Sequence, residues 1–128
     1  MAGMFDFELV SPERVLMSDS IEHVILPGSE GQLGILAGHS PAVVALKPGL
    51  IEVLSGASVS KKIFVRGGFA EINPGTVTVL AEHALDTSTA TKDELSAEIE
   101  LAERKLSEAA TDQARYLAQS ALDSLHLL

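Results

Sequence analysis

Four histidines, His23, His39, His83 and His126, are the side chains in this 128-residue chain best suited to move a proton or hold a metal near neutral pH. Their spacing matches no ligand motif, and no Asp or Glu completes a facial set around them, so no metal site is expected. Gly28-Ser29-Glu30-Gly31-Gln32-Leu33-Gly34 is the segment richest in glycine. Glycine loops cradle phosphate where they lead into a helix N-terminus, but a strand-like run follows this one, and no Gly-Lys-Ser/Thr occurs. It reads as a turn. No serine sits in an elbow motif for acyl transfer. The lack of cysteine removes thiolate nucleophiles, thiolate zinc sites and disulfides. The chemistry-bearing residues therefore predict no catalytic centre and no cofactor. His23 and His83 lie in strand-like contexts and read as structural. His39, between Gly38 and Pro41, stands evenly between a loop histidine bonded to nearby backbone and an interface residue.

Charge narrows the partners. The formal net charge is -9, and it is spread along the chain: residues 1–88 carry 5 basic and 10 acidic side chains, and residues 89–128 carry 4 and 8. Neither part offers the basic stripe that neutralises phosphate, so nucleic acid is excluded and anionic lipid headgroups are disfavoured. No apolar run approaches the length needed to span a bilayer. Residues 1–6 lack a basic segment followed by an apolar one, so no secretory leader is expected. These readings predict a bacterial cytoplasmic chain, with any membrane link made through a partner and none by direct insertion.

Two textures meet near residue 88. Before it, short apolar runs are punctuated by glycine and proline. Phe5-Asp6-Phe7-Glu8-Leu9 alternates with period 2, as a half-buried strand does. Further strands are read at 15–17, 21–26, 33–36, 43–46, 50–54, 62–65, 69–72 and 76–80. Ser18-Asp19-Ser20 reads as a break between two of them, and Gly67-Gly68 as a tight turn or bulge. Many short, closely spaced strands predict an antiparallel β-sandwich or barrel over residues 1–88. Aromatics are only 4% of the chain, so Val, Leu, Ile and Ala must fill the core.

After residue 88, Ala, Glu, Leu and Lys dominate. Thr91-Lys92-Asp93-Glu94 matches a capping box, and Thr111-Asp112 offers a second N-cap. Leu95, Ile99, Ala102 and Leu106 form one apolar stripe, and Ala114, Leu117, Ala121 and Leu125 another. Glu98, Glu103, Lys105 and Glu108 are read as lying off the first stripe on a solvated face. Residues 89–128 are thus predicted to be a two-helix antiparallel hairpin, since helices this short are marginal alone. On these grounds the chain is a soluble β domain with a helical tail, built for protein contact.

The series Leu9-Val10-Ser11-Pro12-Glu13, Gly28 to Ile35, Gly38-His39-Ser40-Pro41, Leu46-Lys47-Pro48-Gly49, Gly67-Gly68-Phe69-Ala70-Glu71 and Val77-Thr78-Val79-Leu80-Ala81 resembles the epsilon subunits of bacterial F-type ATP synthases, counterparts of the mitochondrial delta subunit. The resemblance covers nearly all of residues 4–86 in order and spacing. It implies an N-terminal β-sandwich followed by a two-helix hairpin, in a non-catalytic rotor subunit that links the gamma subunit to the c-subunit ring and couples proton flow to ATP synthesis. The protein would lie peripherally at the cytoplasmic face of the bacterial inner membrane. The c-ring contact maps to Ser29, Glu30, Gly31 and Gln32, where relatives often carry Glu at the last position. The gamma contact maps to Ser11, His39 and Val44. In many relatives the tail regulates ATP hydrolysis by setting basic side chains against an acidic segment of the beta subunit; here these would be Arg104, Lys105 and Arg115, and the resemblance offers the alpha subunit as a further partner of the C-terminal helices. The alternative role is accordingly an inhibitor module of hydrolysis. The tail's acidity weakens such a contact. Some relatives bind ATP through Asp-x-x-Arg-Ala. The matching stretch here is Asp93-Glu94-Leu95-Ser96-Ala97, and Ser96 supplies no guanidinium, so weak or absent ATP binding is expected.

Overall fold

Alternating sequences become strands wherever one face finds a core, and ten segments of this chain do so. The computed structural model describes residues 3–128; Met1 and Ala2, which open the stretch read as leaderless, lie outside the described residues. The strands are β1 (Phe5–Val10), β2 (Val15–Ile21), β3 (His23–Gly28), β4 (Gly31–Leu36), β5 (Ala42–Leu46), β6 (Gly49–Ser55), β7 (Ser58–Val65), β8 (Gly68–Ile72), β9 (Thr76–Ala81) and β10 (Ala84–Asp86). Two helices follow, α1 (Lys92–Glu108) and α2 (Asp112–His126). The β-sandwich followed by two helices is the architecture expected from the sequence.

The strands pair in the order β10-β7-β6-β3-β5-β8-β9-β1-β2, with β4 also on β3. All pairs are antiparallel except β1 with β9, which run parallel. β3 pairs with β6 through residues 23–25 and touches β5 only where Gly28 faces Leu46. The ribbon folds over at that narrow join. One layer is β10-β7-β6-β3-β4 and the other is β5-β8-β9-β1-β2. Their inward residues form one core that includes Phe5, Phe7, Leu9, Leu26, Ile51, Val65, Val77 and Val79. Each such side chain contributes about 1.5–3 kcal/mol by leaving water.

Three local readings need correction. Ser18-Asp19-Ser20 does not break the chain; it is the middle of β2, where Asp19 lies opposite Phe7 and Ser18 opposite Glu8. β2 ends the strand order, so its outer edge faces water, where polar residues and an edge charge are tolerated and discourage stray pairing. Gly67-Gly68 joins strands that do not pair with each other: β7 belongs to one layer and β8 to the other. It is therefore a crossing between layers rather than a hairpin turn or bulge. β10 is three residues long and half-buried, too short to leave a period in the sequence.

The helices start where their caps dictate. The Thr91 side chain accepts from the Glu94 amide at 3.1 Å, and the Glu94 carboxylate accepts from the Thr91 amide at 3.0 Å. The Thr111 hydroxyl accepts from the Ala114 amide at 3.0 Å. Replacing Thr91 with alanine should cost about 1 kcal/mol; urea unfolding read at the hairpin checks this, with Ser96→Ala on the exposed face as the neutral control. The two helices pack on each other, and α2 rests on the sandwich through a second apolar cluster of Phe64, Ala102, Ala121, Leu122 and Leu125, flanked by Leu50, Leu85, Ile99 and Leu106. The Ser120 hydroxyl donates to the Pro48 carbonyl at 2.9 Å and fixes the height of α2.

Candidate interaction surfaces

The outer face of the β5-β8-β9-β1-β2 layer carries an unusual row. Strand register places Ala45 opposite Phe69, Phe69 opposite Leu80, Leu80 opposite Val10, and Val10 opposite Val15. All five point away from the core, because their neighbours Leu46, Ala70, Val79 and Leu9 point in. Phe69 is 55% exposed, Leu80 56% and Val15 55%. With strands about 4.8 Å apart, the row runs roughly 19 Å across the layer. Of the four phenylalanines, Phe5, Phe7 and Phe64 are buried, and only Phe69 is left outside. The next row along the same face is mixed: Val43, 73% exposed, lies opposite Glu71, which lies opposite Thr78. An apolar row with a polar border is the anatomy of a protein contact.

The residues assigned by resemblance to the gamma contact frame this face unequally. Ser11 follows β1 at one end, its amide donating to the Arg14 carbonyl. His39 lies at the other end, in the loop before β5, where its Nδ1 is 2.8 Å from the Ser40 carbonyl oxygen. Gly38 ties that loop to the β8–β9 turn by donating to Pro74. Val44 packs inward against the core. Its neighbour Val43 is the residue that reaches the outer face, since side chains alternate along a strand.

The second surface is the β3–β4 turn. Ser29, Glu30, Gly31 and Gln32 are all exposed. Gly31 has φ 137°, a conformation that residues with a Cβ rarely adopt, and this lets β4 return in register on β3. The Ser29 amide donates to the Ala45 carbonyl and anchors the turn to the other layer. Of the tail cations, Arg104 and Lys105 are exposed on α1 without a carboxylate partner among the described residues, whereas Arg115 pairs with Asp112. Ser96 is exposed on the first turns of α1.

The third feature was misplaced by sequence reasoning. Glu98, read as part of a solvated face, is only 7% exposed. Arg66 Nε and Nη2 donate to its two oxygens at 2.9 and 2.6 Å, and His83 Nε2 lies 3.3 Å from Oε2. The signal was present: Glu98 stands three residues after Leu95 and four before Ala102, on the apolar stripe itself. Burial pushes the Glu98 carboxyl up; the Arg66 hydrogen bonds and charge, with the charges of His83 and Lys105, outweigh it and leave the carboxyl below its ordinary value. A carboxylate depressed in the folded state stabilises above its unfolded pKa, about 4.3, and loses that contribution as pH falls through the folded value. Docking of the hairpin through Glu98 should therefore stay constant from neutral pH to about 4.5 and weaken only below it. An acid titration of hairpin protection, with Glu98→Gln flattening that limb, checks the sign.

His23 is half-buried in β3, and His126 is exposed at the end of α2. Neither makes a salt bridge among the described residues, and no cluster of His, Asp or Glu suited to a metal occurs among them.

Residues 4–87 match the family described as ATP synthase, Delta/Epsilon chain, beta-sandwich domain. The chain belongs to the ATP synthase epsilon chain family. It is 45% identical over 125 residues to the epsilon chain of Parvibaculum lavamentivorans, covering 98% of this chain and 95% of that one. The Mesorhizobium japonicum epsilon chain is 39% identical over 128 residues, covering 100% and 95%. As a member of the epsilon family it is a stalk subunit of ATP synthase rather than a catalytic one. The fold is shared with a chain of the Euglena gracilis mitochondrial ATP synthase (TM-score 0.69, 24% identity, covering 98% of this chain and 79% of that one). It is also shared with one from the Tetrahymena thermophila central stalk and c-ring (TM-score 0.62, 13% identity, 96% and 94%). No helix among the described residues is long and apolar enough to cross a membrane, which accords with a peripheral, membrane-associated subunit.

Proposed function

We propose that this chain is the rigid adaptor of the rotor, with the Ala45-Phe69-Leu80-Val10-Val15 row seated on the gamma subunit and the Ser29–Gln32 turn touching the polar loops of the c-ring. The apolar row carries the reading. A face that leaves its one outward phenylalanine in water, on a layer otherwise alternating apolar-in and polar-out, is made to be covered. The neighbouring Val43 extends that contact toward His39. The turn suits the ring for a different reason: it offers short polar side chains and backbone on a hairpin held at both ends by the sheet. Torque passes through close-packed β layers without slip, because such interiors yield little. The same placement puts the subunit at the cytoplasmic face of the membrane.

The ring contact is tested in the assembled enzyme. A cysteine placed at Gln32 should crosslink to a cysteine in the ring loops, whereas one placed at Val59, near the β6–β7 turn at the opposite end of the same layer, should not. Equal yields at both positions, or none at Gln32, would remove the turn from the interface.

A further inference from the structure

Apolar walls that face each other in a folded chain normally close on each other, because both gain by leaving water. Two such walls stand apart here. A cleft of about 570 Å³ separates the helical hairpin from the β5 and β8 end of the sandwich, with Ala45 and Phe69 on one side and Leu101 of α1 and Leu117 of α2 on the other. The walls are braced. The second apolar cluster joins both helices to the sandwich, and its Phe64 and Ala102 also line the cleft. Polar contacts flank it, from Arg66 to Glu98 on the α1 side and from Ser120 to the Pro48 carbonyl on the α2 side. The cleft is therefore preformed, and its volume lies in the range of natural binding clefts.

Three features define what fits it. Ala45 and Phe69 belong both to the cleft and to the apolar row on the outer face, so a protein seated on the row reaches the mouth of the cleft. The lining is chiefly apolar side chain. A strand laid there would leave backbone donors and acceptors unpaired, whereas a helix satisfies its own. The charge is negative. Glu82 and Glu108 line the cleft, and neither makes a salt bridge among the described residues. α1 ends at Glu108, so the negative end of its dipole adds to that charge. Of the two cations in the lining, Arg66 is taken up by Glu98, which leaves Lys105 alone.

We propose that an amphipathic, basic helix of the gamma subunit lies in this cleft, with its apolar side chains between Phe69 and the leucines of the hairpin and an arginine or lysine facing Glu82 and Glu108. The site rests on the row being the gamma contact and extends that contact onto the docked hairpin. It is helix-in-groove recognition, in which apolar anchors supply affinity and the charged rim sets orientation.

Calorimetry with purified gamma subunit and the full chain tests the site. Leu101 and Leu117 are half-exposed in the free chain, and Leu101→Glu and Leu117→Glu should each weaken binding by about tenfold or more. With one position on each helix, a variant that circular dichroism shows to be misfolded leaves the other to decide. Glu108→Lys should weaken binding more than Glu103→Lys, which makes the same change in net charge on a part of α1 outside the cleft. A photoreactive amino acid placed at Leu101 should crosslink to gamma in the complex, and one placed at Glu103 should not. Val15→Glu, at the far end of the row, separates the two contacts. If it weakens binding while Leu101→Glu and Leu117→Glu leave it unchanged, the row stands and the cleft site is overturned. If none of the three matters, both readings fall. Crosslinking of position 101 to a second copy of this chain instead of gamma would also overturn the cleft site.

Discussion

Alanine at position 68 should strongly destabilise the sandwich. A Cβ there would lie 2.0 Å from the Leu80 carbonyl oxygen and 3.0 Å from the Ala81 Cα, both backbone atoms of β9 that cannot step aside. The residue also has φ 138°, which costs roughly 1–3 kcal/mol for a residue with a Cβ even in open space. Together these put the loss above about 3 kcal/mol, among the largest expected of a single change. For a domain of this size that corresponds to a fall in Tm of roughly 10 °C or more. Gly75 gives the contrast: a Cβ there meets nothing within 4 Å, so Gly75→Ala should be nearly neutral. Thermal unfolding followed by circular dichroism measures both. A Gly68→Ala protein that melts with the parent would mean that Gly68 does not lie this close to the backbone of its neighbour β9.

Phe69→Glu should weaken binding to the gamma subunit by about a hundredfold or more, while the chain folds as before. A charge in the middle of the apolar row would be desolvated without a partner in the complex, and in the free protein it would stand in water. Leu80→Glu should act alike, since Leu80 is its cross-strand neighbour. Val59→Glu, an exposed apolar position on the opposite layer, should leave affinity unchanged. Val43 and Val44 separate face from core. Val43→Glu should cost affinity and little stability, and Val44→Ala should cost about 1–2 kcal/mol of stability and little affinity. Calorimetry with purified gamma subunit gives the affinities and urea unfolding the stabilities. Full affinity in Phe69→Glu would take the row out of the interface.

These effects rest on features that differ in how far the sequence exposes them. The inward faces of β1, β8 and β9 follow from period-2 alternation, because a strand reports its own burial through consecutive residues. The row on the outward face needs more. Ala45, Phe69, Leu80, Val10 and Val15 come from five strands, and only register brings them into line. That Val43 rather than Val44 reaches the outer face has the same origin. A one-residue offset turns a side chain from solvent to core, and resemblance in loop spacing does not resolve a single residue.

By itself, the sequence determined what is local. The alternation of Phe5 to Leu9, the Gly- and Pro-marked turns, the capping box at Thr91 and the N-cap at Thr111 each involve residues within four or five positions, so their physics is complete within a short window. It also excluded a thiol chemistry, which depends on composition alone. The tertiary structure decided what depends on distant partners. It paired β1 in parallel with β9, kept Ser18-Asp19-Ser20 extended at a free edge, and gave β10 a place beside β7. It also buried Glu98 against an arginine 32 residues away. A carboxylate on a helix stripe carries no mark of what faces it, because the free energy that keeps it there comes from a guanidinium that only folding delivers.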